Sequence, residues 1–179
     1  MFSTGRGYVG VWSRAVAFAY DFLVIGLYLA VVICVAAAVD AYAPAFAARF
    51  AAPETGQLVG FLSFTVPVVL YFSLQEASSR QATWGKHRCG LRLAAVDARR
   101  VRLGRALWRN ALKFAPLEIA HGCAWRLWDG ATGAGPWVRA GLILVVALAA
   151  ANLACAAFTP RRQALYDLLA GTLVVRGRG

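Results

Sequence analysis

From Ala15 to Val39 the chain is apolar for long enough to cross a bilayer, and a single acid, Asp21, interrupts the run (AVAFAYDFLVIGLYLAVVICVAAAV). About 20 apolar residues span the hydrocarbon core as a helix, so this stretch dictates a membrane-embedded element. A carboxylate at that depth costs roughly 2.5–3.5 kcal/mol on insertion scales. It requires a partner, a proton, or a function that uses its charge. Arg14, seven residues upstream, is two helical turns away on the same face and is the first partner to consider.

The rest of the composition agrees with a membrane protein. Of the 179 residues, 60% are hydrophobic and 15% charged, against about 25% charged in soluble domains. The length suits one membrane domain of a few helices. The net charge of +11 would suit a nucleic-acid partner if it formed one face. Instead the cations gather between apolar segments and at the two ends, as the positive-inside rule requires, so no nucleic-acid partner is expected. Cys34, Cys89, Cys123 and Cys155 show no CxxC spacing, and neither a disulfide framework nor a zinc site is expected. Arg6 and Arg14 precede an apolar run too long for a signal-peptide core, so the first helix is expected to be retained.

The hydropathy pattern predicts an all-α membrane protein, a single domain over residues 1–179. Its spans fall at about 13–39, 57–75, 110–128 and 138–158, with a basic loop at 76–109 and a tail at 159–179. Pro67 is expected to kink the second span, and Gly56 and Gly60 form a GxxxG at its edge that suits helix packing. Between Arg80 and Lys113 there are ten cations against one acid, Asp97, which puts this loop in the cytoplasm. Two short β-like pieces flank a polar turn at Asp97–Arg100 and suggest a small hairpin. Arg102, Arg105, Arg109 and Lys113 recur at helical spacing over Val101–Phe114. That stripe predicts an interfacial amphipathic helix whose cations contact anionic lipid headgroups. The segment Pro116–Trp128 contains Glu118, His121 and Arg126 and either crosses at a tilt or enters and returns. A crossing puts Gly130–Trp137 (GATGAGPW) outside and both termini inside, and it places Trp12, Trp108, Trp128 and Trp137 near interfaces.

Three passages in order carry a family resemblance: WSRAVAFAYD at 12–21, ATWGKHRCGLRLAAVDARRVRLGRALWRNALKF at 82–114, and RRQALYDLLAGTLVV at 161–175. Together they resemble the RDD family of small membrane proteins, named for one arginine and two aspartates. The matching positions are Arg14, Asp21 and Asp167. Trp84 stands where the family often has proline, and Tyr166 where it often has histidine. The resemblance implies an integral membrane protein, and cation/proton antiport is proposed for some members.

Read as chemistry, Asp21 is either a cation or proton site or one half of a structural pair with Arg14. Asp167 could join Arg14 in an Asp–Arg–Asp cluster or pair with its own basic flank, Arg161 and Arg162. Gly171 fits the C′ position of a short helix. Glu118 and His121, three residues apart, form either a proton relay or a hydrogen-bonded polar pair; no HExxH supports a metal there. Thr83, Gly85 and Lys86 do not make a P-loop and are expected to form a turn at the membrane surface. No nucleophile–base arrangement points to an enzyme, and no cofactor is expected. The leading expectation is a small transporter in a bacterial-type inner membrane that uses Asp21 for a cation or proton. Four short spans barely enclose a path, so a homo-oligomer or a membrane-protein partner is expected with it. The alternative is a membrane scaffold or accessory subunit whose buried charges are structural.

Overall fold

The computed structural model describes residues 8–97, 99–128 and 135–177. The expected outer loop at Gly130–Trp137 therefore lies largely outside the described residues, as does Ala98 of the Asp97–Arg100 turn. The first apolar run forms α1 (Val11–Tyr42), and a short α2 (Pro44–Ala47) follows it. The second span is one rod over Pro53–Ala77, made of α3 (Pro53–Gly60), a π-helical segment Phe61–Thr65, and α4 (Val66–Ala77). Next come α5 (Trp84–Arg88) and β1 (Leu91–Ala95), then α6 (Leu103–Trp128), α7 (Pro136–Phe158), α8 (Leu165–Leu169) and β2 (Thr172–Arg176).

Three of these helices, Val11–Tyr42, Pro53–Ala77 and Pro136–Phe158, are long and apolar enough to cross a membrane. The protein is an all-α membrane protein with a small two-stranded sheet. Trp12, Trp108, Trp128 and Trp137 are all exposed. The predicted amphipathic helix and the ambiguous segment 110–128 are a single helix, α6, which runs through Pro116.

Local chemistry accounts for the irregularities. Pro67 has no N–H to give the Ser63 carbonyl four residues back. The helix widens into its π turn just before that point, and the Ser63 carbonyl accepts from the Tyr28 hydroxyl of α1 at 2.5 Å. The GxxxG glycines form a packing seam within the chain. A Cβ on Gly56 would meet the Trp125 ring at 2.7 Å, and one on Gly60 would strike the His121 ring.

The sheet joins the middle of the chain to its end. β1 is paired antiparallel with β2, Leu93 opposite Val174, so the partner strand comes from the tail and not from a local hairpin around Asp97. Burial accompanies this pairing: Leu91, Leu93 and Ala95 of β1 and Val174 of β2 share a core with Val9, Ala17, Val101 and Ala106.

The two helix–strand units repeat. Gln81, Gly90 and Leu91 recur as Arg162, Gly171 and Thr172, a constant step of 81 residues. Gln81 and Arg162 both have φ of 50°, and Gly90 and Gly171 have φ of 64° and 62°. Each glycine closes a five-residue helix in the left-handed conformation that a C′ glycine favours. The helices α4 and α7 also end 81 residues apart, at Ala77 and Phe158. The hydrogen bonds respect the same step: Val96 N–H donates to the Gly171 carbonyl at 3.0 Å, and Gly177 N–H to the Gly90 carbonyl at 2.7 Å. The sheet thus sits on a pseudo-two-fold axis through the Leu93–Val174 pair, with α1 introducing one half and α6 the other.

Candidate functional site: a buried charge network beside a cavity

Where the two halves meet, charges from five elements converge. Arg14 of α1 donates through Nη1 to Asp167 Oδ2 at 2.6 Å and through Nε to the Val9 carbonyl at 3.3 Å. Arg109 of α6 is the centre of the group and is 1% exposed. Its Nε donates to Asp167 Oδ1 at 2.8 Å, and its Nη1 to both Glu76 oxygens at 2.8 and 2.9 Å. Lys86 of α5 pairs with Glu76 Oε1. Asn110 Nδ2 donates to Glu76 Oε2 at 2.9 Å and to Ser73 Oγ at 3.2 Å. Asp167 also accepts from its own helix start, the Ala164 N–H, at 3.3 Å.

Burial alone would raise the Asp167 pKa. The Arg109 and Arg14 guanidinium groups outweigh it and hold the carboxyl below the usual carboxylate range. Burial lowers the Lys86 pKa against the pull of Glu76. Such a network is stable only when each charge is paired and hydrogen-bonded, because each was taken out of water.

Asp21 stands apart from these pairs. Its Oδ2 accepts from the Thr83 hydroxyl at 2.6 Å, and its Oδ1 from the Gly85 N–H at 2.8 Å and the Tyr71 hydroxyl at 3.1 Å. The expected Arg14–Asp21 pair does not form. Seven residues along a helix separate two side chains by about 10.5 Å, too far for contact between them. Arg14 turns instead to Asp167, and Asp21 to the start of α5. Gly85 permits this approach, since a Cβ there would fall on the Ala17 carbonyl oxygen and within 2.9 Å of the Asp21 carboxyl carbon. Asp21, Glu76 and Asp167 are each 1% exposed or less. Of the three, Asp21 alone has no cation within ion-pair distance among the described residues.

A cavity of about 330 Å³ adjoins this cluster. Arg14 and Asp21 of α1 line it together with Lys86, with Arg109 and Lys113 of α6, and with Asn152 of α7.

The RDD family model matches residues 8–171, from the strand-like start through the turn at Gly171. The chain belongs to the RDD family. No match was found among curated proteins or among solved structures.

In this RDD protein the TWGK passage, residues 83–86, is the receptor for Asp21. Thr83 caps α5 by accepting from Lys86 N–H at 3.3 Å and donates its hydroxyl to Asp21. Gly85 brings the two backbones together, and Lys86 reaches Glu76. Trp84 is the first residue of α5, a position proline also favours, and its ring packs edge-on against Tyr20. Tyr166 presents its ring to the Arg109 guanidinium at 4.9 Å.

The remaining predicted residues divide. Glu118 Oε2 accepts from Thr65 at 2.5 Å, and its Oε1 lies 3.5 Å from His121 Nδ1. His121 Nε2 accepts from the Trp125 indole at 2.9 Å within α6, and the Thr65–Glu118 bond joins α6 to the second span. Among the described residues no three His, Cys, Asp or Glu side chains are placed to hold a metal ion.

The headgroup stripe needs correction. Arg102 is exposed and Arg105 pairs with Asp97 at 3.2 Å, but Arg109 is buried and Lys113 lies 3.8 Å from the Phe72 ring centroid. The face that carries Arg109 and Lys113 is turned inward because Glu76 and the Phe18, Phe72 and Phe114 rings supply partners there.

Sequence reasoning missed Glu76, which sits one residue past the predicted end of the second span. An acid in the last turn of an apolar helix, next to a loop of ten cations, was the available signal.

Proposed function

We propose that this RDD protein is a small membrane transporter in which Asp21 holds the exchangeable charge, a proton or a cation. The observation that carries the reading is the isolation of Asp21: a fully buried carboxylate held by neutral donors and bordering a cavity. Glu76 and Asp167 are each paired with two cations, so neutralising either would leave buried cations uncompensated. The hydroxyls of Thr83 and Tyr71 can rotate, so Asp21 can change occupancy without a large rearrangement.

In reconstituted vesicles, Asp21→Asn should abolish cation or proton flux and leave the folded fraction intact. Undiminished flux in a well-folded variant rules out Asp21 as the coupling site.

A second reading has its own support. The Arg14–Asp167–Arg109–Glu76–Lys86 network ties both ends of the chain to its middle, as a membrane scaffold or accessory subunit would require. Absence of flux from the unaltered protein, across monovalent cations and a pH gradient, favours that reading.

The ten-to-one cation excess of the loop supports a cytoplasmic face for it and for both termini in the plasma membrane, with α6 crossing as a fourth span. At 26 residues α6 is long enough to do so. An impermeant thiol reagent applied outside intact cells should leave Cys89 unlabelled; labelling from that side reverses the topology.

A further inference from the structure

The cavity beside Asp21 is lined by basic side chains that the transport reading does not use. Arg14, Lys86, Arg109 and Lys113 all border it, and only Lys86 and Arg109 have every acceptor they need supplied by Glu76 and Asp167. Two cationic groups bordering the cavity lack an acceptor. Arg14 Nη2 is buried with no hydrogen-bond partner. Lys113 has no hydrogen bond or ion pair among the described residues, and its ammonium rests on the Phe18, Phe72 and Phe114 rings at 4.3, 3.8 and 4.9 Å. A buried guanidinium nitrogen without an acceptor is costly, and an anion in the cavity would satisfy it.

The walls select among anions. The sides are Val11, Ala15 and Phe18 of α1 and Ala149, Leu153 and Ala156 of α7. Ala15, Ala149 and Leu153 are exposed on two of the helices that qualify as membrane spans. The cavity therefore has a cationic base and an apolar side that faces the acyl chains. A free anion would cross that side at a cost, whereas a headgroup with its chain attached presents matching chemistry to both parts.

We infer that the cavity between α1 and α7 binds the phosphate of an anionic phospholipid, seated on Arg14 and Lys113 with its acyl chain leaving between Ala15, Ala149 and Leu153. The inference goes beyond coupling at Asp21 and is read without any flux, so either can fail alone.

Native mass spectrometry of the full chain in detergent, titrated with phosphatidylglycerol or phosphatidylcholine, tests it. Phosphatidylglycerol should be retained roughly tenfold more than phosphatidylcholine. Lys113→Gln, which breaks no ion pair, should reduce that preference roughly fivefold. Ala149→Trp, at an exposed position on the apolar side, should reduce retention of phosphatidylglycerol with every charge in place. Equal retention of the two lipids, or phosphatidylglycerol binding unchanged in both variants, overturns the inference. Inorganic phosphate at millimolar concentration should not displace the lipid; displacement assigns the site to a free anion and overturns the lipid assignment.

Discussion

Arg109→Gln should cost the folded protein about 3–5 kcal/mol, the range for removing one partner from a buried ion pair. Arg109 spans two acids at once, through Nε to Asp167 and through Nη1 to Glu76. Glutamine leaves each acid with only its second cation, Arg14 for Asp167 and Lys86 for Glu76. Arg109→Lys keeps the charge but lacks the planar fork that reaches both carboxylates, so it should fall between the two. Thermal unfolding in detergent can rank the series, with exposed Arg102→Gln as the control that should scarcely move. An Arg109→Gln protein as stable as Arg102→Gln would show that the network contributes little.

The same residue sets acid sensitivity. Asp167 has its pKa depressed in the folded state by Arg109 and Arg14 against the opposing effect of burial. Its contribution is full above the ordinary aspartate value of 3.8 and is lost as pH falls through the depressed one. With one guanidinium removed the Asp167 pKa rises, so acid unfolding of Arg109→Gln should begin at a higher pH than in the unaltered protein.

Gly85→Ala should cost about 3 kcal/mol, from a methyl group with nowhere to go. The obstacle is the Ala17 backbone carbonyl, which cannot rotate aside as a side-chain tip would. Moving α5 away relieves the clash only by lengthening the Gly85 N–H bond to the Asp21 carboxylate, a charge-assisted bond. Gly104→Ala is the matched control, since nothing lies within 4 Å of its new Cβ and α6 is helical there. That change should be neutral or stabilise by up to about 1 kcal/mol. If Gly85→Ala and Gly104→Ala unfold alike, the close approach of α1 and α5 is not a constraint.

These two predictions separate what can be read along the chain from what cannot. The membrane-embedded helices were legible because hydropathy is summed over a local window: spans predicted at 13–39, 57–75 and 138–158 form within Val11–Tyr42, Pro53–Ala77 and Pro136–Phe158. Gly171 was legible as a helix terminator because positive φ is a local demand. The ordered motifs around Arg14, Asp21 and Asp167 were enough to point to the family that the model match established over residues 8–171.

Only the tertiary structure decided which charge meets which. Arg14 and Asp21 share a helix face but stand too far apart along it, and each takes a partner from across the fold: Asp167 for one, and Thr83, Gly85 and Tyr71 for the other. The stripe Arg102–Arg105–Arg109–Lys113 has helical spacing whichever way it faces. Periodicity shows that a face exists, and its direction depends on what lies opposite, here Glu76, Asp167 and three aromatic rings. The pairing of β1 with β2 and the 81-residue repeat escaped the sequence for the same reason. Backbone hydrogen bonds and left-handed turns tolerate many side chains, so the two halves keep their geometry while Gly85 and Lys86 stand in one where Tyr166 and Asp167 stand in the other.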